Sequence, residues 1–319
     1  MNIHPIFVRQ GQNRDRFKAG FIDSSGDVVV GPVYEDAEFP SERLAPVRSK
    51  SLWGAVDDTG KLVISPLSEL ALHFHEGKAM FQRGGKRGFI DTTGRVLIQP
   101  KYQHVGGYSE ELAWVMSNNQ YGFLDADCRE KIPLFFEDAR QFREGLAPVR
   151  LGGKWGYIDR EATFVIQPSF DFACIFSEGR ARVRVGSLWG YIDRSGQFVT
   201  EATLEDARDF SEGLAQARSA SMWGYLNLSG RFEIEPAFAN TGRFSEGLAL
   251  VEPPSALRGF EGFINEMGKI VIPPRFVQCN RFRDGCCLVR TDDEIAYVSR
   301  TGEYIWKGPE IDIAVCFMP

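Results

Sequence analysis

The sequence predicts an all-β tandem array, and three observations carry that reading. Glycines at Gly20, Gly54, Gly88, Gly122, Gly156, Gly190 and Gly224 stand 34 residues apart; Gly262 follows after 38, and Ala296 takes the ninth place 34 later. The stretch Trp155-Gly156-Tyr157-Ile158-Asp159 returns almost unchanged at Trp189–Asp193. Within each copy, short apolar runs are separated by Gly, Pro and Asp turn residues. So strict a period means one supersecondary unit copied nine times, each copy burying its apolar face against its neighbours. Residues 1–319 are therefore read as one array, not as the two domains that length alone suggests.

One copy, Phe142 to Gln167, shows the elements in order. Phe142-Arg143-Glu144-Gly145 is a turn, and Leu146-Ala147-Pro148-Val149-Arg150 a first short strand. Leu151-Gly152-Gly153-Lys154 reads as a hairpin loop, and Trp155–Asp159 as a second strand. The third strand is Phe164-Val165-Ile166-Gln167, stopped by Pro168, which cannot donate to a ladder. The aromatic and acidic remainder, Phe170 to Ile175, reads as a fourth strand or a compact connector.

Turn chemistry joins the second strand to the third. Asp57-Asp58-Thr59-Gly60, Asp91-Thr92-Thr93-Gly94 and Asp193-Arg194-Ser195-Gly196 place Asp first and Gly fourth. The Asp side chain accepts bonds from the turn backbone, and the Gly takes a left-handed conformation. This recurring Asp is hairpin chemistry and not a catalytic carboxylate. Two adjacent columns, Ile158 with its equivalents and Tyr157 with its equivalents, are apolar in nearly every copy. Successive strand residues point to opposite faces, so the second strand is covered on both sides. The repeated Gly requires either a positive φ or a close approach by the next copy.

Lys154-Trp155-Gly156-Tyr157-Ile158-Asp159, Phe176-Ser177-Glu178-Gly179 and Val165-Ile166-Gln167-Pro168 resemble the WG-repeat, or KWG-repeat, family of bacterial proteins. The resemblance covers essentially the whole chain. Departures include Arg87, Tyr121 and Glu261 in place of the Trp, and Ala162 in place of the turn Gly. It implies an all-β repeat domain without known catalytic residues, and it implies no biochemical activity.

Two architectures suit such copies: an open β-solenoid or superhelix, or a closed ring of the β-propeller kind. The chain begins with a first strand, Ile6–Arg9, and ends soon after a third, Glu303–Trp306, so its ends are in phase. Nine also exceeds the usual four to eight blades. Both points favour the open array.

Composition bounds the function. The net charge of −6 disfavours non-specific binding to nucleic acid. Cys128, Cys174, Cys279, Cys286, Cys287 and Cys316 show no metal-ligand spacing and read as small apolar residues in a reducing compartment. No basic-then-apolar leader and no membrane-length apolar run is visible, so a cytoplasmic location is expected. His4, His73, His75 and His104 are too few and too local for a metal site, and no cofactor is expected.

The length departures point to a binding edge. Residues Arg9 to Gly20 and Glu252 to Gly262 run long in the same loop, between first and second strands, and so emerge on one edge of the array. The candidate partner-binding residues are Arg14, Arg16, Phe17 and Lys18 in one, and Leu257, Arg258 and Phe260 in the other. A Glu column (Glu42, Glu76, Glu110, Glu144, Glu178, Glu212, Glu246, with Asp284) and an Arg column (Arg48, Arg150, Arg184, Arg218, Arg290) are read as structural. The acid is expected to accept N–H bonds in its own turn or to pair with an Arg of a neighbouring copy. The leading expectation is a non-enzymatic scaffold for another protein, with toxin neutralisation as a special form. Glycan binding through Trp53, Trp155, Trp189 and Trp223, if exposed, is the alternative, and an enzyme with a site between copies the third reading.

Overall fold

The computed structural model describes residues 3–9, 17–23, 27–254, 259–283, 285–292 and 294–309. Regular structure among them is entirely β, in nine antiparallel sheets, and each sheet is a meander of consecutive strands. Asp206–Ala207, Leu214–Ser219, Met222–Asn227 and Phe232–Phe238 lie side by side in chain order and show the plan.

Local chemistry sets these elements. Ala220 and Ser221, at φ 49 and 64, make a two-residue hairpin loop between the first and second long strands, a turn whose twist matches that of the strands. At the next turn the Asn227 side chain accepts the Ser229 amide at 3.0 Å and the Ser229 hydroxyl at 2.6 Å, while Gly230 adopts φ 79. In the fifth sheet Ala162 is held at φ 64 in the place of that Gly.

The third strand does not stop at its proline: Phe164–Phe170 passes through Pro168. It is the edge strand of its sheet, where a missing N–H costs no ladder bond. Val33, Phe135, Val165 and Ile270 are exposed on such edges, and proline and bulges blunt them against pairing with other chains.

Register explains the repeated glycine. Trp223 pairs with Phe238 and Tyr225 with Ile234, so the edge strand bulges opposite Gly224. A Cβ on Gly224 would lie 2.5 Å from the Ile234 carbonyl oxygen and 2.7 Å from the Pro236 nitrogen. The glycine is thus required by its own sheet, not by the next copy and not by a positive φ. In the ninth sheet Ala296 pairs with Lys307, and the register runs unbroken from Glu294 to Tyr297.

The expected open β-solenoid is overturned. A solenoid pairs strands between successive repeats, whereas every strand pairing among the described residues stays within one sheet. The sheets are blades, and the fold class is the nine-bladed β-propeller that stood as the alternative. The in-phase argument failed for an identifiable reason. The connector after each third strand is hydrogen-bonded into the following sheet, as Asp206–Ala207 is to Arg218 and Ala217. Among the described residues His4–Arg9 therefore takes the second strand position of its blade, not the first.

Contacts divide the chain into two units, residues 1–153 with 157–164, and residues 154–156 with 165–319, the division running through the fifth blade. In the first unit each core joins two successive blades: Phe21 meets Ala37 and Val47, Ile64 meets Phe74 and Phe81, and Phe89 meets Tyr108 and Val115. The second unit repeats the scheme with Tyr191 against Phe210 and Ala217, Tyr225 against Phe244 and Val251, and Phe263 against Phe282 and Val289. The second strand is buried on both faces, as Trp223, Gly224, Tyr225 and Leu226 illustrate. Each fully buried aromatic or aliphatic side chain contributes about 1.5–3 kcal/mol, so adjacent blades stabilise one another.

Candidate functional site

The Phe-Ser-Glu-Gly turn is a stitch between blades. Ser211, Glu212, Gly213 and Leu214 form a tight turn in which the amides of Ser211 and Leu214 donate to each other's carbonyls at 2.9 and 3.2 Å. The Ser211 hydroxyl donates to the Phe244 carbonyl at 3.0 Å, and the Glu212 carboxylate accepts the amides of Glu246 and Gly247 at 2.7 and 2.9 Å. Glu42 on Gly77, Glu76 on Glu110 and Glu111, and Glu178 on Gly213 repeat the bond. The acid column therefore reaches the turn of the next copy, not its own turn and not an Arg. All seven glutamates, Glu42 to Glu246, stand at φ between 47 and 55. Asp284 lies outside the described residues.

A second acid column, which the sequence reading missed, caps the hairpin loop in blades two, three, five, six and seven, with Gln103 in its place in blade four. Glu35 accepts the Lys50 and Ser51 amides at 2.9 Å, and Asp171 and Glu205 cap the equivalent loops. The bond from Ser51 holds the Glu35 carboxyl below its ordinary value, and Lys154 does the same for Asp171. Its signal was legible as an acid fifteen or sixteen residues before the loop. Among the described residues no group of His, Cys, Asp and Glu is placed to hold a metal ion; His73 instead meets Glu38 at 2.8 Å.

The tryptophans are packed. Trp53, Trp155 and Trp223 are 7, 3 and 9 % exposed, and Trp189 is half-buried. The Arg column lies across the strand from them: Arg48 opposes Trp53 with its guanidinium 5.6 Å from the ring, and Arg184 opposes Trp189 at 5.8 Å. Exposed aromatics sit elsewhere, at Phe39 and Phe135, 66 and 57 % exposed.

The predicted partner-binding residues fall at equivalent loops of blades one and eight. Phe17 opens the second strand of blade one opposite Arg9 and is 47 % exposed, and Lys18 beside it is half-buried opposite Val8. Phe260 is half-buried just before Glu261–Asn265. Arg14, Arg16, Leu257 and Arg258 lie outside the described residues. In blades two to seven the same loop is a two-residue turn such as Gly84-Gly85 or Gly152-Gly153. Blade eight also replaces the Arg and Trp of the cross-strand pair with Glu252 and Glu261. Glu252 accepts the Gly259 amide at 2.9 Å, closing the loop, and Glu261 accepts the Cys279 amide at 2.5 Å. Burial pushes the Glu261 carboxyl up; the bonds from Cys279 pull it back, and Glu252 raises it further. The loop thus rises from an acidic neck.

The family profile described as WG containing repeat matches residues 20–52, 53–86, 88–121, 121–155, 155–189, 189–219, 223–252 and 262–294. The chain belongs to the WG-repeat family. Among curated proteins none is similar to it in sequence. Among solved structures, the WG-repeat chain is similar to the crystal structure of a eukaryotic initiation factor, at 14 % identity and a TM-score of 0.62 over 92 % of this chain and 93 % of that one. At that identity the likeness is one of fold. The dihydro-heme d1 dehydrogenase NirN matches at 13 % identity and a TM-score of 0.42, over 73 % of this chain and 63 % of its own. PorZ of Porphyromonas gingivalis, a surface component of the type-IX secretion system, matches at 12 % identity and a TM-score of 0.33, over 95 % of this chain and 50 % of its own. The WG repeats therefore build a repeat β-propeller scaffold, with the Trp-Gly pair serving the blade itself.

Proposed function

We propose that this WG-repeat chain is a non-enzymatic scaffold that holds another protein through the loops joining first and second strands. The loop pattern carries the reading: six blades close that turn in two residues, while blades one and eight extend it at residues 10–16 and 253–260. Phe17 and Phe260 place aromatic surface beside these loops, the kind of side chain that anchors protein interfaces. A particular form of this proposal is neutralisation of a toxin in the cytoplasm, for which the charge of −6 is the support.

Deleting Pro253–Gly259 and rejoining the strands with Gly-Gly tests the edge. Unchanged circular dichroism with loss of partner capture from the native cell supports it, and undiminished capture counts against it. A second reading, glycan binding through exposed aromatics, draws on Phe39 and Phe135 in place of the packed tryptophans. Retention on immobilised cell-wall glycan that survives the loop deletion but is lost in Phe39→Ala or Phe135→Ala would select it.

A further inference from the structure

The turn between the second and third strands of blade eight breaks a pattern that the other described turns of this kind keep. Its third position holds a hydroxyl in five blades, and that hydroxyl bonds the first turn residue. Thr59, Thr93, Ser195 and Ser229 do so at 2.6 Å, and Thr301 at 2.9 Å. Blades four and five carry Asp127 and Glu161 there. Blade eight carries Met267, 82 % exposed and the most exposed large hydrophobic side chain among the described residues. The exchange forgoes a hydrogen bond and leaves a thioether chain in water, and neither change stabilises the turn.

The backbone around Met267 is held, so its exposure is built in. The Asn265 side chain accepts the amides of Met267 and Lys269 at 3.1 and 2.9 Å. Gly268, at φ 74, seats so closely on blade seven that an added Cβ would lie 3.2 Å from the Ile234 side chain. Just beyond the turn, Ile264 pairs with Ile270 and Phe263 with Ile272, which makes Val271 an extra residue in the edge strand. At this bulge Ile270 and Val271 are 52 and 36 % exposed. Glu266 and Lys269 stand on the two arms of the hairpin, either side of Met267, and both are exposed.

We propose that this hairpin tip is a self-association surface, on which a second copy of the chain docks about a two-fold axis running through the tip. A half-turn about that axis exchanges the two arms. Glu266 of each copy then meets Lys269 of the other, around a centre of Met267 and Ile270. A patch carrying both charge signs in this order is complementary to itself, whereas a partner of one sign would leave one arm facing its like. Methionine suits the centre because its unbranched chain adapts to the side chain it meets. The tip lies at the opposite end of Glu261–Asn265 from residues 253–260, so this surface is separate from the edge proposed to hold another protein.

Sedimentation velocity of the full chain, over a concentration series up to about 100 μM, tests the surface. The expected result is a monomer–dimer equilibrium. Met267→Ser, which restores the hydroxyl of the other turns, is expected to weaken dimerisation at least about tenfold without lowering the thermal midpoint. Glu266→Lys and Lys269→Glu should each weaken it about tenfold, and the two together should return it to within about threefold of the parent, because every facing pair is then reversed as a whole. Deletion of Pro253–Gly259 should leave dimerisation unchanged, which separates this surface from the loop edge. A parent that stays monomeric throughout the series overturns the proposal; if that monomer floats with vesicles of phosphatidylcholine and phosphatidylglycerol, the tip faces a lipid surface instead. A Met267→Ser dimer as tight as the parent's also overturns it, as does a double charge swap no tighter than the single ones.

Discussion

The Glu212 carboxylate accepts the backbone amides of Glu246 and Gly247, residues that occupy the same turn one repeat later. The interaction costs Glu212 a left-handed backbone at φ 54, a conformation disfavoured for residues with a Cβ. Glu212→Ala keeps that strain and leaves two amides to water, so it is expected to lose about 1 kcal/mol. Glu212→Gly relieves the strain and is expected to recover part of the loss. Urea unfolding of the three proteins checks this, and an Ala variant as stable as the parent removes the stitch as a source of stability.

Gly224 and Gly31 make a controlled pair. Both lie in strands, yet an added Cβ meets backbone at 2.5 Å at Gly224 and nothing within 4 Å at Gly31. Gly224→Ala must displace the bulged edge strand, and a loss of about 3 kcal/mol or more is expected, in the range of strained or overpacked sites. Gly31→Ala should stay within about 0.5 kcal/mol. Equal losses in denaturant titrations would show that bulge proximity does not set the glycine requirement.

The period, the number of copies, the hairpin loops and the Asp–Gly turns were all legible in the residues, because each depends on neighbours in sequence. The two buried columns around Tyr225 and Leu226 were legible for the same reason. Sheet membership was not. Asp206–Ala207 follows one blade in sequence but bonds into the next, and only that register separates a propeller from a solenoid. The destination of Glu212 was hidden likewise, since its partners lie 34 and 35 residues away. At the candidate edge the loop lengths were readable, while the acidic neck of Glu252 and Glu261 emerged only once the strands were paired.

Tyr225 separates a hydrogen bond from a ring contact. Its hydroxyl donates to the Gly242 carbonyl at 2.7 Å, and its ring meets Phe244 edge-on at 4.9 Å. Phe89, Phe123 and Phe263 fill the same column without a hydroxyl and keep the ring contact. Tyr225→Phe should therefore cost about 1 kcal/mol, and Tyr225→Ala about 3–5 kcal/mol through the cavity it leaves. Thermal melts of both variants decide the matter; similar losses would mean that the hydroxyl, not the packing between blades, dominates.

Acid should weaken the blades through their turns. The Thr59 hydroxyl holds the Asp57 carboxyl below its ordinary value, and the Ser195 hydroxyl does so for Asp193. Glu35 and Glu69 are lowered as well, by the Ser51 amide and by the Gln82 side chain. A carboxylate depressed on folding adds stability that is complete above its unfolded pKa, near 4, and lost as pH falls through the lower folded value. Asp138 and Glu261, raised by burial, act in the opposite sense but are outnumbered. The thermal midpoint is expected to hold steady from about pH 6 to 5 and to fall below about pH 4. Asp57→Asn with Asp193→Asn, which keeps the turn as Asn227 does, should flatten that acid limb. A parent protein whose midpoint is unchanged down to about pH 3 would show that these turn carboxylates are not what couples stability to protons.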